Sequence, residues 1–304
     1  MASFFLLDKL FMLCYNLFSY EGDVMILLDG KSLRNKKLDI LKEKISNLEK
    51  KLTLVVIQVG SDDASDVYVK KKKKMAEYVG YNFIHKRLDD SISEDDLLEV
   101  IESYNNDKAV DGILVQMPLP KHINEVVIQN KILYYKDVDG LSDINMGRLV
   151  HNRKSLVACT AKGIVSLLKE YNIDLVGKNV VIVGRSNLVG KPLFNLLLNM
   201  DATVTIVHSK TNNLDSITKM ADILVVAVGK KEFINKSMIK KNAVVIDVGI
   251  NKMDGKLYGD VDFDNVKDVV SYITPVPGGV GPMTVTELGY NVLDAYYMGC
   301  DIFE

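Results

Sequence analysis

The sequence predicts two α/β domains with a cleft between them, the second a doubly wound parallel sheet of the Rossmann type. Three observations carry this. Short β-branched runs alternate with amphipathic helical stretches along most of the chain, which is the pattern of parallel βαβ units. The run 179–183 leads directly into a Gly-rich turn and a helix with Pro192 in its first turn. All six prolines fall in three short motifs, the densest at 273–284, where stiff Pro275, Pro277 and Pro282 interleave with permissive Gly278, Gly279 and Gly281. Such a segment is a shaped loop rather than a flexible linker, and it points to a small-molecule site.

The elements follow in order. Residues 4–18 are rich in large apolar groups but are interrupted by Asp8-Lys9, and they lack the basic start and small-residue cleavage site of a secretory signal. We read 1–24 as an N-terminal extension, with 4–18 a short amphipathic helix and Met25 an alternative start. Leu38, Leu41, Ile45, Leu48 and Leu52 recur at helical spacing and predict a helix over 31–51. The β-branched run 54–59, ended by Gly60, predicts a buried strand. A helix over 65–79 follows, and Ser93-Glu94-Asp95-Asp96 resembles a capping box opening another that runs to 105. The strand 112–116 is stopped by Pro118 and Pro120. In the second half, strands are expected at 179–183, 203–207, 223–227 and 244–248, with helices at 161–171, 190–200 and 214–221. The strand 203–207 is expected near a sheet edge. Val285, Leu288, Val292 and Ala295 space a last helix. The expected division is 25–158 plus 284–304 for a catalytic domain and 159–283 for a dinucleotide-binding domain.

Composition narrows the function classes. A net charge of −2 argues against a nucleic-acid binder. No stretch reaches the roughly 18–20 apolar residues that a membrane span needs. Cys14, Cys159 and Cys300 are odd in number and far apart, which fits a reduced cytoplasm. His85, His122, His151 and His208 have no metal-ligand spacing, and no metal is expected.

Gly184 and Gly190 stand in a Gly-x5-Gly turn whose helix start can hold a phosphate on backbone N–H groups; a plain βα turn is the alternative. NAD sites place a carboxylate at the end of the next strand. Here that strand ends in His208-Ser209-Lys210-Thr211, with no carboxylate. Arg185, Ser209 and Lys210 could instead hold a 2′-phosphate, which favours NADP, though Lys210 could equally be a solvated loop lysine. In the run Lys70–Lys74, helical spacing puts Lys72 on one face with Tyr68, Met75, Ala76 and Val79. An inward lysine must snorkel, pair or do chemistry, and burial would lower its pKa toward a general-base range. Gln116 lies at the carboxyl end of a strand, where open α/β sheets bind ligands. Asp137 and Asp139 are two apart, so in extended chain they face one side; they could bind a metal or be turn residues.

These motifs together resemble the bifunctional methylenetetrahydrofolate dehydrogenase/cyclohydrolase family. The resemblance runs from about Met25 to about Met298, through Tyr68-Val69-x-x-Lys72, Asp111-Gly112 to Pro118-Leu119-Pro120, Lys136 to Gly140, Gly184-Arg185-Ser186-x-x-Val189-Gly190, Asp247 to Asn251 and Pro275 to Thr284. It implies oxidation of 5,10-methylenetetrahydrofolate by NADP and hydrolysis of the methenyl product to 10-formyltetrahydrofolate, a one-carbon supply for purine biosynthesis. It implies Lys72 as the key catalytic residue, Gln116 bonded to it, Tyr68 stacked on the folate and Asp139 on the pterin. Pro277, Gly278 and Gly279 would line the folate cleft. Gly184, Arg185, Ser186, Ser209 and Ile250 would hold NADP, with Thr160 near the nicotinamide. A homodimer is also implied.

The chain departs from the family pattern where Ala158-Cys159-Thr160-Ala161 replaces Pro-Cys-Thr-Pro, and where Asp63 stands in place of a common proline. Both losses would loosen turns without touching a proposed catalytic group. Another two-domain NADP dehydrogenase, such as a shikimate dehydrogenase, would leave the 273–284 loop unexplained. A catalytically dead binder would leave the retained Lys72, Gln116 and Asp139 unexplained.

Overall fold

The computed structural model describes residues 25–303. The extension 1–24, including its expected helix and Cys14, lies outside the described residues.

A small parallel sheet has the order β3-β2-β4, from β2 (Thr53–Val59), β3 (Asn82–Leu88) and β4 (Gly112–Val115). Strand β2 is central and buried at every position because both of its faces are covered, hence its mostly apolar run. Helices α1 (Gly30–Ser46) and α2 (Asp63–Val79) supply Leu38, Leu41, Ile45, Val69, Met75, Ala76 and Val79 to one core. Helix α3 (Glu94–Asn106) and α4 (Glu125–Lys131) supply Leu97, Ile101 and Ile128 to the other.

The larger sheet has the order β1-β11-β8-β7-β5-β6, all parallel. It comprises β1 (Ile26–Leu27), β5 (Asn179–Val183), β6 (Thr203–Val207), β7 (Ile223–Val226), β8 (Val244–Asp247) and β11 (Tyr272–Ile273). Strand β6 sits at an edge, as expected. Helices α5 (Asp143–Val150), α6 (Cys159–Glu170), α7 (Gly190–Leu198), α8 (Leu214–Thr218) and α9 (Phe263–Val266) complete this half, with an antiparallel hairpin β9 (Asn251–Met253) and β10 (Lys256–Tyr258). The last helix, α10 (Val280–Phe303), packs on α1, α2 and α6, so it touches both halves.

Several boundaries differ from expectation. Helix α1 ends at Ser46 rather than 51, because Leu52 belongs to the buried turn into β2. Helix α2 begins earlier, at Asp63, where Asp62 caps it by accepting from Ser65 N at 2.8 Å. Asp63 thus occupies a first-turn position that suits its charge. Helix α6 starts at Cys159 without a side-chain cap, and Ala158 and Ala161 are buried. Strand β1 lies in the larger sheet, although residues 26–27 were expected to belong with the smaller one.

Candidate active site

A cavity of about 480 Å³ lies between the two sheets. The smaller sheet's side contributes Tyr68, Lys72, Gln116 and Asp139; the larger sheet's side contributes Thr160, Leu188, Val189, Val248 and Ile250; α10 contributes Val280, Gly281, Thr284 and Leu288.

Lys72 enters from α2. Its neighbours Val69, Met75, Ala76 and Val79 are buried, which turns that face toward the sheet and Lys72 toward the cleft. Tyr68 is one turn earlier and stands at the rim, 43% exposed, with Lys71 Nζ 5.3 Å from its ring centroid. Lys72 Nζ donates to Gln116 Oε1 at 2.8 Å. Gln116 Nε2 donates to Met117 O at 2.7 Å, which leaves its oxygen for the lysine. The backbone of Gln116 is itself fixed, its N–H donating to Ile57 O on β2 at 2.8 Å.

The Lys136–Gly140 segment splits in role. Ile113 N donates to Lys136 O at 2.7 Å, so this segment extends the sheet beyond β4. Lys136 is buried and its ammonium donates to the carbonyls of Tyr104, Asn105 and Asp107, capping the end of α3. Asp137 accepts from Gly140 N, Ser142 N and Asn145 Nδ2 and closes a turn in which Gly140 has φ +69°. The two carboxylates therefore do not share a side: Asp137 is structural and Asp139 alone lines the cavity. The turn that follows Asp137 redirects the chain, so the extended-chain expectation fails here.

Burial holds the Lys72 ammonium below the ordinary lysine pKa, with the Asp139 charge and the Cys159 thiol opposing that shift. Burial likewise raises Asp139, which the Lys72 charge and a Cys159 hydrogen bond oppose. Lys72 is thus a lysine that can shed its proton, next to a carboxylate that resists the loss.

Across the cleft, Gly184 ends β5 at φ +121°, and a Cβ there would lie 2.2 Å from Ala227 O. A Cβ at Gly190 would lie 2.1 Å from Gly184 O, so both glycines are required by the close turn. Ser186 Oγ accepts from Val189 N at 3.2 Å and shapes the entry to α7. Gly184 N donates to Val207 O at 2.9 Å, which brings the exposed Arg185 turn beside exposed Ser209 and Lys210 at the carboxyl ends of adjacent strands. Thr160 Oγ1 lies 3.2 Å from Thr284 Oγ1, linking α6 to α10 inside the cavity.

Pro277, Gly278 and Gly279 are placed apart from the cavity wall. They pack on the start of α1, where a Cβ at Gly30 would lie 1.8 Å from Gly279 O. Arg185, Ser186 and Ser209 also lie beyond the cavity, on the side of the Gly-rich turn. Asp62, Ser65, Cys159 and Thr284 line the cavity and were missed in the sequence, since only tertiary packing brings them there.

A cleft between two parallel sheets, with a tight βα turn on one side and a recessed lysine on the other, defines a two-domain dinucleotide-dependent oxidoreductase. The family described as tetrahydrofolate dehydrogenase/cyclohydrolase, catalytic domain, matches residues 28–139, and its NAD(P)-binding domain matches 158–299. A bifunctional protein FolD from Halalkalibacterium halodurans is 52% identical over 273 residues, covering 89% of this chain and 98% of that protein. The crystal structure of a FolD methylenetetrahydrofolate dehydrogenase/cyclohydrolase from Campylobacter jejuni aligns with TM-score 0.89 at 44% identity, covering 90% of this chain and 99% of that one. The Trypanosoma brucei enzyme, complexed with NADP cofactor and an inhibitor, aligns with TM-score 0.86 at 35% identity over 91% and 98% of the two chains. The chain belongs to the tetrahydrofolate dehydrogenase/cyclohydrolase family and is an enzyme of folate one-carbon metabolism with both activities.

Proposed function

We propose that the cleft oxidises 5,10-methylenetetrahydrofolate with NADP and then hydrolyses the methenyl cation to 10-formyltetrahydrofolate, with Lys72 as the proton-transfer group. The observation that carries this is the 2.8 Å bond from Lys72 Nζ to Gln116 Oε1, in a cavity whose other wall follows the Gly-rich turn.

The residues present fit NADP. The Gly184–Gly190 turn brings backbone close to a helix start, and Arg185, Ser209 and Lys210 are exposed where a 2′-phosphate would lie. Gly184, Arg185, Ser186 and Ser209 would hold it, with Thr160 and Ile250 beside the nicotinamide. The bound dinucleotide supplies hydride acceptance. Tyr68 stacks on the substrate rings and Asp139 bonds the pterin, and together they orient the reacting carbon. Pro277, Gly278 and Gly279 act at one remove, bracing the start of α1 beside the cleft. In the hydrolytic step, neutral Lys72 accepts a proton as water adds to the methenyl carbon, and Gln116 fixes the amine. The same proton is returned to the ring nitrogen as its bond to that carbon breaks, and the hydroxyl proton leaves to solvent as the formyl C=O forms. A cation beside Lys72 favours its neutral form.

Residues 25–158 with 284–304 form the folate-binding part, and 159–283 the NADP-binding part, with β1 lent to the larger sheet. A cytoplasmic homodimer feeding purine biosynthesis completes the reading. It is supported by free thiols at Cys159 and Cys300 and by the exposed edge strand β3. Among the described residues, no helix is long and apolar enough to cross a membrane. The test is incubation with methylenetetrahydrofolate and NADP⁺, following NADPH, methenyl and formyl products separately. NADPH with formyl product above the non-enzymatic rate supports both steps; persistent methenyl product removes Lys72 from this role. Sedimentation of the purified protein tests the dimer.

A further inference from the structure

Beneath the cavity floor two backbone segments cross: 138–140, which carries Asp139, and 157–160, which carries Cys159 and Thr160. They are packed tightly, since a Cβ at Gly140 would lie 2.5 Å from the carbonyl carbon of Val157. One side chain ties both. Asn291, fully buried on α10, donates through Nδ2 to Val138 O and to Val157 O, each at 2.9 Å. Its Nδ2 also lies 3.5 Å from Cys159 Sγ, and Cys159 Sγ donates to Val138 O at 3.4 Å. Lys162 Nζ donates to Asn291 Oδ1 at 2.8 Å and to Asp294 Oδ2 at 2.5 Å, which fixes which end of the amide faces the two carbonyls. Every polar atom of Asn291 is therefore used, and its two acceptors are the carbonyl immediately before Asp139 and the one two residues before Cys159.

We propose that Asn291 is a positioning residue for both reactions, holding the Asp139 carboxylate and the Thr160 helix start at a fixed separation on opposite sides of the cleft. Asn291 does not line the cavity and touches no reacting atom. Its effect passes through the backbone of Val138 and Val157. A primary amide suits the task because its two N–H groups diverge from one nitrogen, and a hydroxyl or an apolar group cannot serve both carbonyls. The inference rests on the reading that Lys72 and Asp139 face the substrate.

The test is the pH–rate profile of methenyltetrahydrofolate hydrolysis, with kcat and KM separated, for the parent, Asn291→Ser, Asn291→Leu and Lys72→Ala. Both Asn291 substitutions are neutral, so they add no charge. The titratable groups facing Lys72 remain Asp139 and Cys159, and those beside position 291 remain Cys159, Lys162 and Asp294. Asn291→Leu is expected to lose about tenfold to a hundredfold in kcat with KM little changed, and to displace the rising limb of the profile. Asn291→Ser, which keeps one donor, is expected to fall between it and the parent. Folded Asn291 variants with the parental kcat and a superimposed pH limb would overturn the proposal. If Asn291→Leu does not fold, Asn291→Ser decides alone. Parental hydrolysis by Lys72→Ala would overturn the site reading and this inference with it. An inactive Lys72→Ala beside unaltered Asn291 variants would overturn the positioning role alone.

Discussion

Lys72 and Gln116 meet across the cleft floor at 2.8 Å, one from a helix face and the other from the end of a strand. The bond joins two elements that are both anchored in the same core, so its geometry does not depend on a loop. Lys72→Ala removes the proton acceptor and is expected to lower methenyl hydrolysis by about a hundredfold or more, the usual worth of a placed general base. Lys72→Arg keeps the charge but cannot give up a proton at working pH, so it should fail as well. The check is hydrolysis of purified methenyltetrahydrofolate followed directly. A parental rate from either variant would remove Lys72 from the mechanism.

The pH dependence has a definite sign. Hydrolysis requires neutral Lys72, so its rate should rise as pH climbs through the lysine's lowered pKa. The Asp139 charge stabilises the ammonium and opposes that lowering. Asp139→Asn should therefore move the rising limb to lower pH while weakening folate binding. A limb that stays in place, or moves to higher pH, would contradict the electrostatic coupling.

Cofactor choice should follow the turn after β5. Arg185→Ala is expected to raise the KM for NADP by roughly tenfold to a hundredfold, corresponding to a charge-assisted bond of about 1.5–3 kcal/mol. The KM for NAD should change little. Initial-rate kinetics with both cofactors decide it; equal losses for the two would mean that Arg185 supports the fold of the turn instead of reading the phosphate.

The parts of this architecture visible in the sequence are those where local pattern and burial agree. Strands β2, β5, β7 and β8 are buried over almost their whole length and appear as short apolar runs rich in β-branched residues. Strand β3 was missed because its edge position leaves Asn82, His85, Lys86 and Arg87 exposed, without an apolar run or strict alternation. The β9–β10 hairpin was also missed, although Asp254 and Gly255, with φ of +50° and +75°, are the turn pair that should have announced it. Lys72 was legible because helical period alone sets it among core residues. The separate roles of Asp137 and Asp139 were not, since they depend on the positive φ of Gly140 and on hydrogen bonds from Ser142 and Asn145. Asn291 gives no sequence signal at all, being one of several polar residues in a mostly apolar helix, with backbone-carbonyl acceptors more than 130 residues away.

A last prediction concerns the loop that carries Ile250 to the cavity. Asp247, buried at the end of β8, accepts from Gly249 N, Asp260 N and Val261 N, each at 2.9 Å. Asp260, also buried, accepts in turn from Val228, Gly229 and Lys230 N–H groups and from Asn251 Nδ2. This knot fixes the segments that follow β7 and β8. Burial raises the Asp247 pKa from 3.8 to about 6 despite its three donors. The raised value means that the folded state holds a proton more tightly than the unfolded chain does. The contribution of Asp247 to stability is therefore greatest below pH 4 and declines as pH rises through 6, by about 3 kcal/mol in all. Asp247→Asn keeps the shape and one acceptor oxygen but does not titrate. Its stability relative to the parent should improve by up to that amount between pH 4 and pH 7, measured by urea unfolding across the range. At pH 4, where Asp247 is mostly protonated, the variant should show only the cost of its altered hydrogen bonds. Unfolding free energies of the two proteins that run parallel from pH 4 to pH 7 would show that Asp247 titrates no differently in the folded and unfolded states.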